Sequence, residues 1–316
     1  MRYTGNFYNL EGIKYEVELI TNGSTTQTRT IDLGVSPFVT TMDVSDENIY
    51  KPAKYQSATV KVVTSGETDY LFDVYSATPN GTKVTLKDVT RNNVMWVGYT
   101  VPVVYQNGYS EIHEELEIEC IDGLSILQYY KYSTDKKGIV SFIDIVNKIL
   151  TKCGCYKTLY VSNNVYRGST PILNDLYISE QNFFDEKSST ETDDDVAWTC
   201  QEVLEEICKY LGFVCVADGE SVWLLDYDDV KQDLRNVYHR YTIGSTAYTE
   251  VTARDHVEIE GEAFRGGDNT LSLDNVYNKV SVKDSFYTFD SVIPSLYDGA
   301  VNITASADSA LKTAIT

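Results

Sequence analysis

Apolar and polar residues alternate through most of the first 122 positions. Period-two runs occupy 13–19, 28–33, 58–62, 71–75, 82–86, 95–101 and 116–120. Such alternation suits strands with one face in a core and the other in water. Asn-Gly pairs at 22–23, 80–81 and 107–108 fall between successive runs. Both residues of that pair tolerate the positive φ that a two-residue type I′ hairpin demands. Residues 1–122 are therefore expected to form about seven strands in a hairpin-rich sheet, closed as a barrel or sandwich.

The period then changes. Phe142, Ile145, Val146, Ile149 and Leu150 recur at three and four residues, the stripe of a half-buried helix. Ser141 can cap that helix, Asp144 suits its first turn and Gly154 can end it. Thr199-Cys-Gln-Glu202 has the form of a capping box ahead of a second stripe, Val203, Leu204, Ile207 and Leu211, with Gly212 at its end. Glu205 and Lys209 are spaced for an exposed ion pair. A hairpin turning at Asp218-Gly219 should follow, so 123–235 are expected to form an α+β domain. From 236 the strand pattern returns at 240–243, 257–259 and 276–282, with a loop at 264–269. This predicts a second β domain over 236–316, which a longer chain or a neighbouring subunit would complete.

Charge narrows the range of partners. The chain has 47 acidic and 26 basic residues in 316, a formal net charge of −21. The excess is spread out: 9 basic against 17 acidic in 1–125, 11 against 19 in 126–235, and 6 against 11 in 236–316. That opposes general affinity for nucleic acid or anionic membranes. Residues 180–195 hold seven acids against Lys187 and are expected to be a solvated loop. No apolar run is long enough to span a bilayer, and 1–13 lack the apolar core of a secretory signal. The six cysteines include no Cys-x-x-Cys, so they are expected as small buried residues in a reducing cytoplasm. Tyr, at 25 residues, suits half-wet strand surfaces and interfaces.

Candidate chemistry is sparse. Phosphate-loop, dinucleotide and nucleophile-elbow motifs are absent from the sequence. His113, His239 and His256 lack metal spacing, and Asp226, Asp228 and Asp229 are expected at a solvated strand end. No catalytic residue, cofactor or metal is expected.

One ordered set of pieces resembles a known family. Trp96-Val-Gly98-Tyr is followed by a hairpin and by a strand running into Asp122-Gly123-Leu124; the helices at 142–150 and 203–212 come next. This order resembles the hub proteins of phage tail tips and baseplates over roughly residues 55–230. The resemblance rests on Trp96, Gly98, Asp122, Gly123 and Leu124 as structural residues, with Trp96 in the core, Gly98 allowing a bulge or close packing and Asp122-Gly123 turning the chain. It implies a mainly β fold of two tube-type barrels with an α+β insertion, and a structural role in the virion without enzymatic activity. Implied partners are two further copies in a trimeric, pseudo-hexameric ring, a distal tail or tube-initiator protein, the tape-measure protein, and spike or fibre proteins. DNA would be a passing load beside an acidic channel wall, never a specific ligand, and the chain would not insert into a membrane. The alternatives are a surface adhesin or carbohydrate-binding module using exposed Trp and Tyr, and a carboxylate-dependent hydrolase.

Overall fold

The computed structural model describes residues 1–21, 26–42, 51–64, 71–102, 115–134, 138–163, 165–167, 170–185, 196–227 and 237–252. The chain is mainly β. Its N-terminal strands are β1 (Arg2–Tyr8), β2 (Lys14–Thr21), β3 (Thr28–Thr30), β4 (Asp32–Met42), β5 (Ala53–Lys54), β6 (Gln56–Val63), β7 (Thr82–Asp88), β8 (Asn93–Thr100) and β9 (Glu115–Asp122). Hydrogen bonding orders them β3-β1-β2-β7-β8-β9-β6-β4, with β5 elsewhere.

The two ends of that order are one stretch of chain. Ile31 alone separates β3 from β4, and its amide donates to the Thr4 carbonyl at 2.9 Å. Residues 28–42 therefore pair with β1 on one side and β6 on the other, and the sheet closes into a barrel of seven strands. Alternate residues fill it: Tyr3, Val17, Leu19, Ile31, Val60, Val62, Val84, Trp96, Leu116, Ile118 and Cys120 are all buried in one cluster.

The structure adds one strand to the expected set and corrects the readings of 71–75, Asn80-Gly81 and Asn22-Gly23. Strand β1 was hidden because its inward positions are Tyr3 and Gly5; a Cβ at Gly5 would lie 2.8 Å from Leu33 Cγ. Asn9 accepts from the amides of Glu11 and Ile13, and Gly12 at φ +77° completes the β1–β2 turn. Residues 71–75 are not a strand. Leu71 and Val74, three apart, enter the barrel core around a 3-10 turn, and Asp73 accepts from the Tyr3 hydroxyl at 2.7 Å. Asn80-Gly81 consequently joins no hairpin, and neither residue has positive φ. Gly81 is required by space: a Cβ there would lie 1.8 Å from Ser76 Oγ. Asn22-Gly23 and Asn107-Gly108 lie outside the described residues, but the strands flanking the first pair are not partners. Both pair with β1.

The middle of the chain supplies β10 (Ile139–Ser141), α1 (Phe142–Cys153), β11 (Thr158–Ser162), β12 (Val165–Arg167), β13 (Thr170–Pro171), α2 (Ile172–Asp175), β14 (Tyr177–Ser179), β15 (Phe184–Asp185), β16 (Val196–Ala197), α3 (Cys200–Leu211), β17 (Val214–Asp218) and β18 (Ser221–Leu225). Both long helices start and stop where their caps predict. Ser141 Oγ accepts from the Asp144 amide, Thr199 and Glu202 form the full capping box, and Gly154 and Gly212 end the helices at φ +65° and +72°.

The main sheet here runs β20-β19-β11-β18-β17-β5, where β19 is Val237–Thr242 and β20 is Tyr248–Thr252. The strands after 236 thus hydrogen-bond into the sheet assigned to 123–235, and Ala53 and Lys54 join its other edge. Hydrogen bonding continues across the boundary expected at 235. The rest of the expected second β domain, including the strands expected at 257–259 and 276–282 and the loop expected at 264–269, lies outside the described residues.

Candidate functional site

Strand β8 faces two cores. Residues 96–100 are buried without interruption. Trp96 points into the barrel, whereas Val97 and Tyr99 join the α+β core with Ala53, Tyr55, Leu124, Ile145 and Leu204. The barrel wall is therefore also a wall of the second unit.

Four of the five residues singled out from sequence converge on this seam, and the fifth, Trp96, fills the barrel from the same strand. Gly98 lies opposite Asp122 in the β8–β9 register, and a Cβ at Gly98 would sit 2.1 Å from the Ile121 carbonyl oxygen and 2.9 Å from Asp122 Cα. Only glycine lets the two backbones approach this closely. Gly123 plays the same part toward the next unit, where a Cβ would lie 2.2 Å from Cys155 Sγ and 2.7 Å from the Tyr156 ring. Leu124 is fully buried in the α+β core and starts the 3-10 turn Ser125–Tyr129.

Asp122 ties these pieces together. Its buried carboxylate accepts from the Ser125 amide at 2.8 Å, the Ser125 hydroxyl at 2.5 Å and the Gln56 amide at 3.0 Å. Burial pushes its carboxyl up to about 6, against the pull of the hydrogen bonds from Ser125, Gln56 and Leu124. Further bonds cross the seam: Tyr99 OH to the Cys153 carbonyl at 2.6 Å, Tyr55 OH to Glu205 at 2.6 Å, and Gln56 Nε2 to the Ala217 carbonyl at 2.8 Å. The donors Tyr55, Gln56 and Tyr99 would have been hard to find from sequence, since their acceptors are about 50 to 160 residues away.

Two charged groups differ from expectation. Lys209 pairs with Glu206 at 2.8 Å instead of Glu205, whose carboxylate is taken by Tyr55 and Gln201. Glu180 is no solvated loop residue. It is buried and accepts from Tyr132, Thr134 and Lys148 at 2.6, 2.9 and 3.0 Å. Burial alone would raise its carboxyl, but these donors hold it below the usual range. The rest of the acidic run, 186–195, lies outside the described residues, as do His113, His256, Asp228 and Asp229.

Histidine 239 is buried among strands, and Asp226 follows β18 with its amide donating to Ser162 Oγ at 2.9 Å. No group of three or more His, Cys, Asp or Glu among the described residues is placed to hold a metal. The six cysteines are all buried and free. No described helix is long and apolar enough to cross a membrane. None of the three tryptophans is exposed: Trp96 and Trp223 are buried, and Trp198 is half-buried. Trp223 stacks on Tyr160 at 4.1 Å between ring centres. The arrangement packs a barrel against an α+β unit across one shared strand.

No family model and no curated protein matches the chain. Among solved structures it is similar to a tail protein from Neisseria meningitidis MC58, at 13% identity over 66% of this chain and 50% of that one, with a TM-score of 0.35. It is also similar to the 43 kDa tail protein of prophage MuSo2 from Shewanella oneidensis, at 12% identity over 65% and 53%, also with a TM-score of 0.35. The chain spans about half the length of each.

Proposed function

We propose that this protein is a structural component of a phage-type tail, serving as a hub at the tail tip or baseplate. The observation that carries this reading is the convergence of Gly98, Asp122, Gly123 and Leu124 on one buried seam between a closed barrel and an α+β unit, with Trp96 on the same strand filling the barrel. These residues carry the sequence resemblance to tail hubs, and a part that transmits load between tube and tip needs such a joint. In this reading three copies form a pseudo-hexameric ring at the tail tip in the virion. The ring meets a tube-initiator protein above, the tape-measure protein within and a spike or fibre below, and part of the acidic surface lines the channel through which DNA is ejected. Carboxylates there repel phosphate within the ~8 Å Debye length of physiological salt, so DNA passes without sticking. The chain has no enzymatic role of its own.

Light scattering and negative-stain electron microscopy of the full chain, alone and with the neighbouring tail proteins, test this. The expected result is a threefold ring with an open centre. A monomer in both preparations overturns the hub reading.

A further inference from the structure

The second sheet turns Leu159, Val161, Val222 and Leu224 toward its helices, so their neighbours Tyr160 and Trp223 face the other way. A cleft lies on that outer face, against the barrel. One half, about 360 Å³, has Met42 and Gln56 on its barrel side, paired where β4 ends and β6 begins, and Val216, Leu225 and Tyr238 on its sheet side. The other half, about 310 Å³, has Asn92 and Asn93 of the β7–β8 turn on its barrel side and Lys157, Tyr160 and Glu220 opposite. Trp223 and Asp218 line both halves, so the halves adjoin there. The cleft is preformed. Tyr160 stacks on Trp223, and Tyr238 meets it edge-on at 5.2 Å between ring centres, which fixes the indole. Gly219, at φ +56°, brings the β17–β18 turn so close to the barrel that a Cβ would lie 2.2 Å from the Val94 carbonyl oxygen.

We propose that this cleft binds an extended peptide segment of a partner protein, one with an apolar anchor residue close to a lysine or arginine. The first half offers Met42, Val216 and Leu225 beside an indole, where an aliphatic or aromatic side chain leaves water. The second half offers the carboxamides of Asn92 and Asn93, which carry the same donor and acceptor types as a peptide group. Charge selects the segment. Lys157 and Glu220 neutralise each other at 2.6 Å, so Asp218 leaves the described lining with one net negative charge. Lys54 and Arg240 share this sheet face but line neither half. The acidic excess spread along the chain favours approach of a cationic segment in the same way. Phosphate-bearing ligands are disfavoured, because the one ammonium group in the described lining, Lys157, is already paired. This inference goes beyond the tail assignment and stands without it.

An array of random octapeptides probed with the labelled full chain tests it. Retained peptides should be enriched in Leu, Met or Phe close to Lys or Arg. Retention of acidic peptides, or of none beyond those kept by the Met42→Ala, Asp218→Asn double variant, overturns the proposal. The strongest peptide is then titrated against the chain and read by tryptophan fluorescence. Saturation is expected, weakened about fivefold by Met42→Ala and about threefold by Asp218→Asn. Both residues are exposed, so neither variant should disturb the fold. Unchanged affinity in both variants would put the peptide elsewhere and sink the idea. Two results would name a different occupant and also overturn it. One is a fluorescence response to chitohexaose or maltohexaose with none to any peptide. The other is self-association of the chain, seen by light scattering, that Met42→Ala abolishes.

Discussion

In the barrel, Val17, Leu19, Val60, Val62, Val84 and Ile118 reach the core as alternate residues of strands. In the α+β unit, Phe142, Ile145, Ile149, Val203, Leu204 and Ile207 reach theirs as stripes of two capped helices. The units also differ in the direction of their long-range strand pairings, antiparallel in β2–β7 and β6–β9 of the barrel and parallel in β11–β18 and β5–β17 of the second sheet. Strands β1–β2, β7–β8 and β8–β9 are neighbours in both sequence and space. The second sheet draws β5 from within the barrel sequence, β11 from before α3 and β19 from after β18. Its β11–β18 pairing is parallel and spans about sixty residues, so loop-closure entropy must be overcome before that contact forms. The comparison shows a barrel whose longest-range pairings, β2–β7 and β6–β9, are antiparallel and a second sheet that includes parallel ones, β11–β18 and β5–β17, with β8 as the wall that joins them.

The largest effects should come from emptying each core in turn. Ile118→Ala opens the barrel and Leu204→Ala the α+β unit; both side chains are fully buried. Each should cost about 2–5 kcal/mol. Because Val97 and Tyr99 leave the barrel to pack in the other core, we expect one calorimetric transition that either variant shifts. Two transitions, each moved by one variant alone, would show that the shared strand does not couple the units.

Two glycines sharpen the same contrast. Gly98 sits on the shared wall, and a methyl group there meets the Ile121 carbonyl and the Asp122 backbone. Neither is a flexible side-chain end, so Gly98→Ala should cost about 3 kcal/mol, the upper end for overpacking. Gly12 sits at a barrel turn with nothing within 4 Å of its would-be Cβ, but at φ +77°. Gly12→Ala should cost only about 1–2 kcal/mol, the left-handed penalty. Urea midpoints of the two variants test the order, and a reversed ranking would mean that the seam yields more readily than its packing implies.

Legibility in the sequence followed the same division. Helix α3 was readable from Thr199, Glu202 and Gly212 because every signal lies within fourteen residues. The strands β2, β6, β7, β8 and β9 were readable from alternation. Strand β1 was not, since Gly5 interrupts the apolar series to make room for Leu33. The segment at 71–75 misled because Leu71 and Val74 fit an apolar strand on composition but sit three apart around a 3-10 turn. Ring closure through Ile31 was invisible, as it depends on two partners, β1 and β6, reached on opposite sides. At the seam, the glycine and aspartate positions were legible through the resemblance. The work of Asp122 was not, because its donors Gln56 and Ser125 are unremarkable residues until the fold brings them to it.

The smallest effect asks how much of the α+β unit rests on local signals. Thr199 Oγ1 accepts from the Glu202 amide at 3.1 Å, and Glu202 Oε2 accepts from the Thr199 amide at 2.6 Å. Thr199→Ala removes one half of that exchange and should cost about 1 kcal/mol, whereas Thr199→Ser should stay close to the parent. The helix is also held from outside: Tyr55, entering from the barrel chain, donates to Glu205 one turn further along. If the seam dominates, Thr199→Ala will lower the urea midpoint without changing the slope, because the helix remains docked. If the cap dominates, helical circular dichroism will fall before the barrel unfolds, and the slope will decrease as two-state behaviour is lost.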